Sequence, residues 1–98
     1  MISYYVPTMY RIDFTKEARE DAKQLAKSEP RAYNKLKRLL KELQDHPTTG
    51  TGKPKQLSGD RAGQWSRRIT DKHRLVYTIN NNEITVLVLT TYGHYDDK

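Results

Sequence analysis

Apolar positions recur with two different periods along this chain, and the change falls near residue 47. The first stretch, Met9-Tyr-Arg-Ile-Asp-Phe14, alternates as a short strand does. Thr15 then suits a helix N-cap, and Ala18, Ala22, Leu25 and Ala26 follow on one helical face, predicting a helix to about Lys27. Ser28-Glu-Pro30 breaks and restarts the chain, with Pro30 suited to a first helical turn. Tyr33, Leu36, Leu40 and Leu43 come at spacings of three and four, which predicts a second amphipathic helix ending near His46-Pro47. Two such helices with so short a break form a helical hairpin whose apolar stripes must be buried on a sheet.

Beyond them the helical period disappears. Residues 47–63 hold four glycines and two prolines with few apolar side chains, so they read as loop, with Leu57 anchoring a short edge strand. Trp65–Thr70 and Arg74–Asn80 read as strands joined at Asp71-Lys72, and Asn80-Asn81-Asn82 as a hairpin turn, because Asn tolerates positive φ. Ile84–Thr91 is almost continuously apolar and β-branched, the pattern of a central strand buried on both faces. The order predicts an α+β domain: an N-terminal strand and two consecutive helices packed on a mainly antiparallel sheet of four to five strands. Residues 1–8, closed by Pro7, read as an N-terminal extension, and residues 9–98 as a single domain.

Composition sharpens this picture in two ways. With only 35% hydrophobic residues in a chain of 98, the core must be small and the surface heavily ionic. The net charge of +6 points to a polyanionic partner, and the charge is unevenly placed. Residues 1–46 mix ten basic with seven acidic side chains, whereas residues 53–74 carry seven Lys/Arg against two acids. The absence of cysteine excludes disulfides, Cys-ligated zinc and thiol nucleophiles. His46, His73 and His94 lack metal-ligand spacing, so no metal and no other cofactor is expected. The start, MISYYVPT, has neither the basic nor the apolar region of a signal peptide, and no apolar run approaches ~18 residues. A soluble cytoplasmic protein with no membrane contact is the expectation.

Trp65-Ser-Arg-Arg-Ile-Thr70, then His73-Arg-Leu-Val-Tyr77, then Gly93-His94-Tyr95 form a specific set of motifs. With Gly50-Thr-Gly-Lys-Pro54 and Leu57 before them, the chain resembles the YoeB/Txe branch of the RelE toxin superfamily over roughly Met9 to Tyr95. The resemblance implies a RelE-like fold and the toxin of a toxin–antitoxin pair, a metal-independent endoribonuclease that cuts mRNA in the ribosomal A site. It also implies mRNA, the ribosome around its small-subunit rRNA, and a cognate acidic antitoxin of YefM/Phd type as partners; a homodimer stays open. One position departs from the branch. A glutamate, thought to act as general base, usually follows G-x-G-K-P, and here Lys55 stands there.

RNA cleavage without metal requires a proton to leave the 2′-hydroxyl, charge to be stabilised on phosphorus, and a proton to reach the 5′-oxygen. Arg68 and Arg74 match the family pattern for the second task, since a guanidinium fork fits two phosphate oxygens and keeps its charge. Arg67 falls on the opposite face if the strand is regular, yet a two-residue turn at Asp71-Lys72 would turn Arg67, not Arg68, toward Arg74. If Arg68 and Arg74 share a site, the connection between them must therefore be irregular or the strand bulged. His94 is the candidate general acid, with Asp96 and Asp97 favouring its imidazolium form. Tyr95 could stack on a base or orient the phosphate. Lys55 is either a base or a cation on a non-bridging oxygen, the second being the simpler role. Lys53 and Arg67 are candidate RNA-backbone contacts. Trp65, His73 and His46 read as structural. Two other classes stay in play: a non-catalytic ribosome- or antitoxin-binding module of the same fold, suggested by Lys55, and a small basic DNA-binding protein, disfavoured because both helices are needed to cover the sheet.

Overall fold

The computed structural model describes residues 10–91, the side chains at 88, 90 and 91 excepted. Residues 1–8 and the Gly93-His94-Tyr95 motif, and with them the assignments made to His94 and Tyr95, lie outside the described residues.

Thr15 starts the first helix in the way its side chain allows. Its Oγ1 accepts from the Ala18 amide at 3.0 Å and donates to the Leu87 carbonyl at 2.7 Å, so one hydroxyl caps α1 (Lys16–Ser28) and ties it to the sheet. Glu29 alone separates α1 from α2 (Pro30–Asp45), with Pro30 in the first turn, where its missing N–H costs nothing. The buried stripe of α2 is Ala32, Leu36, Leu39 and Leu43. It is rotated from the expected one, for Tyr33 and Leu40 lie beside the core as half-buried neighbours.

Five strands form one sheet in the order β1 (Arg11–Phe14), β5 (Glu83–Thr91), β4 (His73–Asn80), β3 (Trp65–Arg68) and β2 (Lys55–Gln56). A single turn of 3₁₀ helix, Gly59–Arg61, lies between β2 and β3. Among the described strands, only the β1–β5 pair is parallel. β4 and β5 are joined by Asn81-Asn82, with Asn81 at φ +56°, the left-handed conformation that asparagine tolerates. The edge strand falls at Lys55–Gln56 rather than on Leu57, whose amide instead donates to the Gln64 carbonyl at 2.9 Å.

Both helices lie on one face of this sheet. Leu25, Leu36, Leu39 and Leu43 form a single core with Ile69, Leu75, Tyr77, Ile84 and Val86, and Trp65 packs at its margin. Over residues 84–87, β5 is not buried equally on both faces as expected. Ile84 and Val86 are buried, whereas Thr85 and Leu87 are half-buried. Its continuous apolar run has another cause: the register slips between Val76 and Tyr77, where Leu87 is the extra residue, so the inward positions shift from Val86 to Leu89. The free amide of Leu89 is then taken by Asp21 of α1 at 3.2 Å.

Candidate functional site

Register decides which cations meet. Arg68 pairs directly with Arg74, with residues 69–73 between them, and an odd connection puts both on the same face. The Ile69 and Thr70 amides both donate to the His73 carbonyl, at 2.8 and 3.2 Å, and Thr70 Oγ1 accepts from the Lys72 and His73 amides. This is the irregular connection that a shared Arg68–Arg74 site requires. One pleat away, Ser66 pairs with Lys55 on one side and Val76 on the other. Lys55, Ser66, Arg68, Arg74 and Val76 thus share the sheet face turned away from the helices. Lys55 and Arg68 are exposed, and Arg74 is half-buried. The far edge of this face is less cationic: Asp13 and Glu83 lie there beside Arg11, and hydrogen bonding to Asp13 pushes the Glu83 carboxyl above its usual range. An anion is accordingly attracted to the β2–β3–β4 end.

Arg67 corrects the expectation of a contact with RNA. It points to the helix side and is fully buried, among the largest buried side chains. Its guanidinium donates to Glu42 Oε1 at 2.8 Å, to the Thr51 carbonyl at 3.2 Å, to the Thr49 carbonyl at 2.6 Å and to the His46 carbonyl. Its Nε reaches the Tyr77 hydroxyl at 3.4 Å, which itself donates to the Pro47 carbonyl at 2.6 Å. Glu42 also accepts from the Thr51 amide and hydroxyl, at 3.0 and 3.1 Å. These bonds satisfy the carbonyls of His46, Pro47, Thr49 and Thr51, just past the end of α2, and hold the loop 46–51 in place. Two signals in the sequence point to this arrangement: Glu42 near the end of α2 and Tyr77 in the strand paired with β3. Neither shows without the register.

The same loop delivers the basic residues. The Gly52 carbonyl accepts from the Arg68 amide at 2.7 Å, extending the sheet edge beside Arg68. A Cβ on Gly52 would sit 2.9 Å from the Arg68 carbonyl oxygen, and its φ of +85° is itself unfavourable to side chains. Lys53 follows, exposed and at φ +51°, and Pro54 leads into Lys55. Loop, strand register and buried arginine together aim Lys53, Lys55 and Arg68 outward.

Acid should loosen this support. Burial works against the Glu42 charge, but the bonds from Thr51 and the Arg67 guanidinium outweigh it and hold its pKa below the ordinary 4.5. A depressed folded value means stability that is complete above 4.5 and lost as pH falls through that folded value. In urea unfolding at a series of pH values, Glu42→Gln should be less stable than wild type at neutral pH and lose less as pH falls below about 4.5. Equal slopes would contradict the role given to Glu42. Burial likewise pushes the Tyr77 hydroxyl up, against the nearby Arg67 charge, keeping it a neutral donor.

His73 takes a structural position, as expected, and His46 stands at the end of α2. His73 Nε2 lies 3.0 Å from Glu29, pinning the β3–β4 connection to the helix junction and lowering the Glu29 pKa. His46 caps α2, its amide bonded to the Glu42 carbonyl at 2.8 Å. A groove of about 720 Å³ opens at the β1 edge between Ile12, Phe14, Ala22 and Tyr33, away from the cationic face.

The family model for "YoeB-like toxin of bacterial type II toxin-antitoxin system" matches residues 14–95. Toxin YoeB of Streptomyces coelicolor is 41% identical over 85 residues, covering 87% of this chain and 99% of that one. Among solved structures, a YoeB/ParE toxin from Agrobacterium tumefaciens superposes with a TM-score of 0.78 at 31% identity, covering 84% of this chain and 98% of that one. A Staphylococcus aureus YoeB chain, solved in a heterotetrameric YoeB–YefM toxin–antitoxin complex, has a TM-score of 0.75 at 34% identity, covering 83% and 94%.

Proposed function

Since this chain belongs to the YoeB-like toxin family of bacterial type II toxin–antitoxin systems, we propose that it is the member that attacks mRNA, as a ribosome-dependent endoribonuclease. The observation that carries this reading is the direct pairing of Arg68 with Arg74 on the sheet face turned away from the helices, one pleat from Lys55. Two guanidinium groups in one cross-strand pair can hold the non-bridging oxygens of a single phosphate, and their charge is worth most as negative charge grows on it. Lys55 adds a third cation from the adjacent strand. Lys53 holds the neighbouring backbone phosphate without reading sequence.

The reaction is 2′-hydroxyl attack on the adjacent phosphorus, in line with the departing 5′-oxygen. The 2′-oxygen–phosphorus bond forms and the phosphorus–5′-oxygen bond breaks, leaving a 2′,3′-cyclic phosphate and a 5′-hydroxyl. His94, three residues beyond the end of β5, is the group suited to protonate the leaving oxygen, and Tyr95 to orient the phosphate or stack on a base. Lys55 in place of the branch's glutamate leaves the base to another group and makes this position a source of charge stabilisation. The natural counterpart of the cationic face is an acidic antitoxin segment, by analogy with the YefM bound to the Staphylococcus aureus toxin.

Primer extension on ribosome-bound mRNA in a purified translation system tests the assignment. His94→Ala should slow cleavage by about 10²–10⁴-fold, the usual worth of a general acid, while the protein still co-sediments with ribosomes. Cleavage unchanged in this variant would remove His94 from the mechanism. If the wild type also left mRNA intact, the Lys55 departure would mark a binding module that has lost its chemistry.

A further inference from the structure

Ser66, on the sheet face turned away from the helices, carries a hydroxyl that bonds to nothing. It is fully buried, and its hydroxyl oxygen has no hydrogen-bond partner. A buried hydroxyl without a partner destabilises a fold, and alanine in the same place would avoid that cost. A retained liability of this kind needs a use. The ladder limits what the use can be. In its row Ser66 has Val76 on one side, which offers no polar atom, and Lys55 on the other. Two residues along β3, on the same face, stands Arg68, itself paired with Arg74.

We infer that Ser66 is a positioning residue for Lys55: its hydroxyl accepts a hydrogen bond from the Lys55 ammonium when an RNA phosphate engages the Arg68–Arg74 pair. This rests on the endoribonuclease reading above. The groups on this part of the face are cations, donors with no lone pair to offer, so a hydroxyl there serves as acceptor. Directly paired residues hold their Cβ atoms about 4.5–5.5 Å apart, close enough for a lysine side chain to fold back onto its cross-strand partner. Lys55 is exposed in the free protein, with a long side chain that samples many rotamers. A phosphate on the arginines draws the ammonium inward, and Ser66 then fixes it. As negative charge grows on the phosphorus the ammonium is drawn further inward, so its bond to Ser66 is made most fully in the reacting state and counts in the rate at saturation rather than in binding.

The test is single-turnover cleavage of preformed ribosome–mRNA complexes by wild type, Ser66→Ala, Lys55→Ala and the double variant, with a melting curve for each. Ser66→Ala should cleave about tenfold more slowly at saturation, as the loss of one hydrogen bond to a charged group dictates. The protein concentration for half-maximal rate should stay unchanged, and the melting temperature should equal or exceed the wild-type value. In the Lys55→Ala background the same change should matter less than about twofold. Equal rates for wild type and Ser66→Ala would overturn the inference. A loss of rate that comes with a lower melting temperature, or that persists fully without Lys55, would also overturn it by making Ser66 merely structural. A wild type that never cleaves would defeat the endoribonuclease reading and this inference together, whereas a cleaving wild type matched by Ser66→Ala defeats this inference alone.

Discussion

Replacing Arg68 by alanine should lower mRNA cleavage by about 10²–10³-fold and leave the fold almost untouched. Arg68 is exposed and sits at the end of β3, so its removal strands no buried partner. Its backbone bond to the Gly52 carbonyl survives any side-chain change. The melting temperature should therefore stay within a few degrees of wild type. The rate should collapse because one of the two guanidinium groups facing the phosphate is gone. Single-turnover cleavage beside a calorimetric melt separates the two quantities. Cleavage within about threefold of wild type would show that the Arg68–Arg74 pair is not the phosphate site.

The neighbouring residue should behave in the opposite way. Arg67→Ala should cost about 3 kcal/mol of stability, the scale of a buried ion pair broken from one side. For a domain of this size that lowers the melting temperature by on the order of 15 °C. The carbonyls of His46, Thr49 and Thr51 would lose their donor, and the Tyr77 hydroxyl and Glu42 a partner. Glu42 keeps its bonds from Thr51 and is 30% exposed, which limits the loss to the lower end of that scale. Any effect on cleavage should follow from loosening of the loop that leads to Lys53 and Lys55, and should be relieved by lowering the assay temperature. A melting temperature unchanged in Arg67→Ala would contradict the network as the support of that loop.

Adjacent arginines with opposite fates show how far the sequence could be read. The helices were legible because their punctuation is chemical: Thr15 caps one, and Pro30 can occupy little but the first turn of the other. Their buried faces were less so. Leu39 and Leu40 both fit a helical period with Leu36 and Leu43, and only the sheet beneath decides that Leu39 turns inward. The parallel β1–β5 pairing and the bulge at Leu87 belong to long-range register, which no local pattern encodes. The continuous apolar run of β5 suggested burial on both faces, when part of it reflects a slip of the inward positions.

The candidate site was legible as chemistry and uncertain as geometry. Residue types and motif singled out Lys55, Arg68 and Arg74 without a fold. Whether Arg67 or Arg68 joined Arg74 turned on the parity of one connection, and the bonds of Thr70 and His73 settle that parity. The support behind the site was missed, since Glu42, Thr51 and Tyr77 look like ordinary surface and core residues until Arg67 is placed among them. Ser66 was missed for a related reason: a serine between tryptophan and arginine carries no signal until its burial and its lack of a partner are known.

The chemistry of the cut ends tests the proposed activity most directly. Purified protein should be added to ribosomes stalled on a defined mRNA, the cleavage point mapped by primer extension, and both new ends characterised. Attack by the 2′-hydroxyl at a phosphate held by Lys55, Arg68 and Arg74 predicts a cut at the A-site codon. The upstream fragment should end in a 2′,3′-cyclic phosphate, and the downstream fragment should accept radiolabelled phosphate from a kinase without prior phosphatase treatment. Intact mRNA, or a downstream fragment that carries a 5′-phosphate, would contradict it.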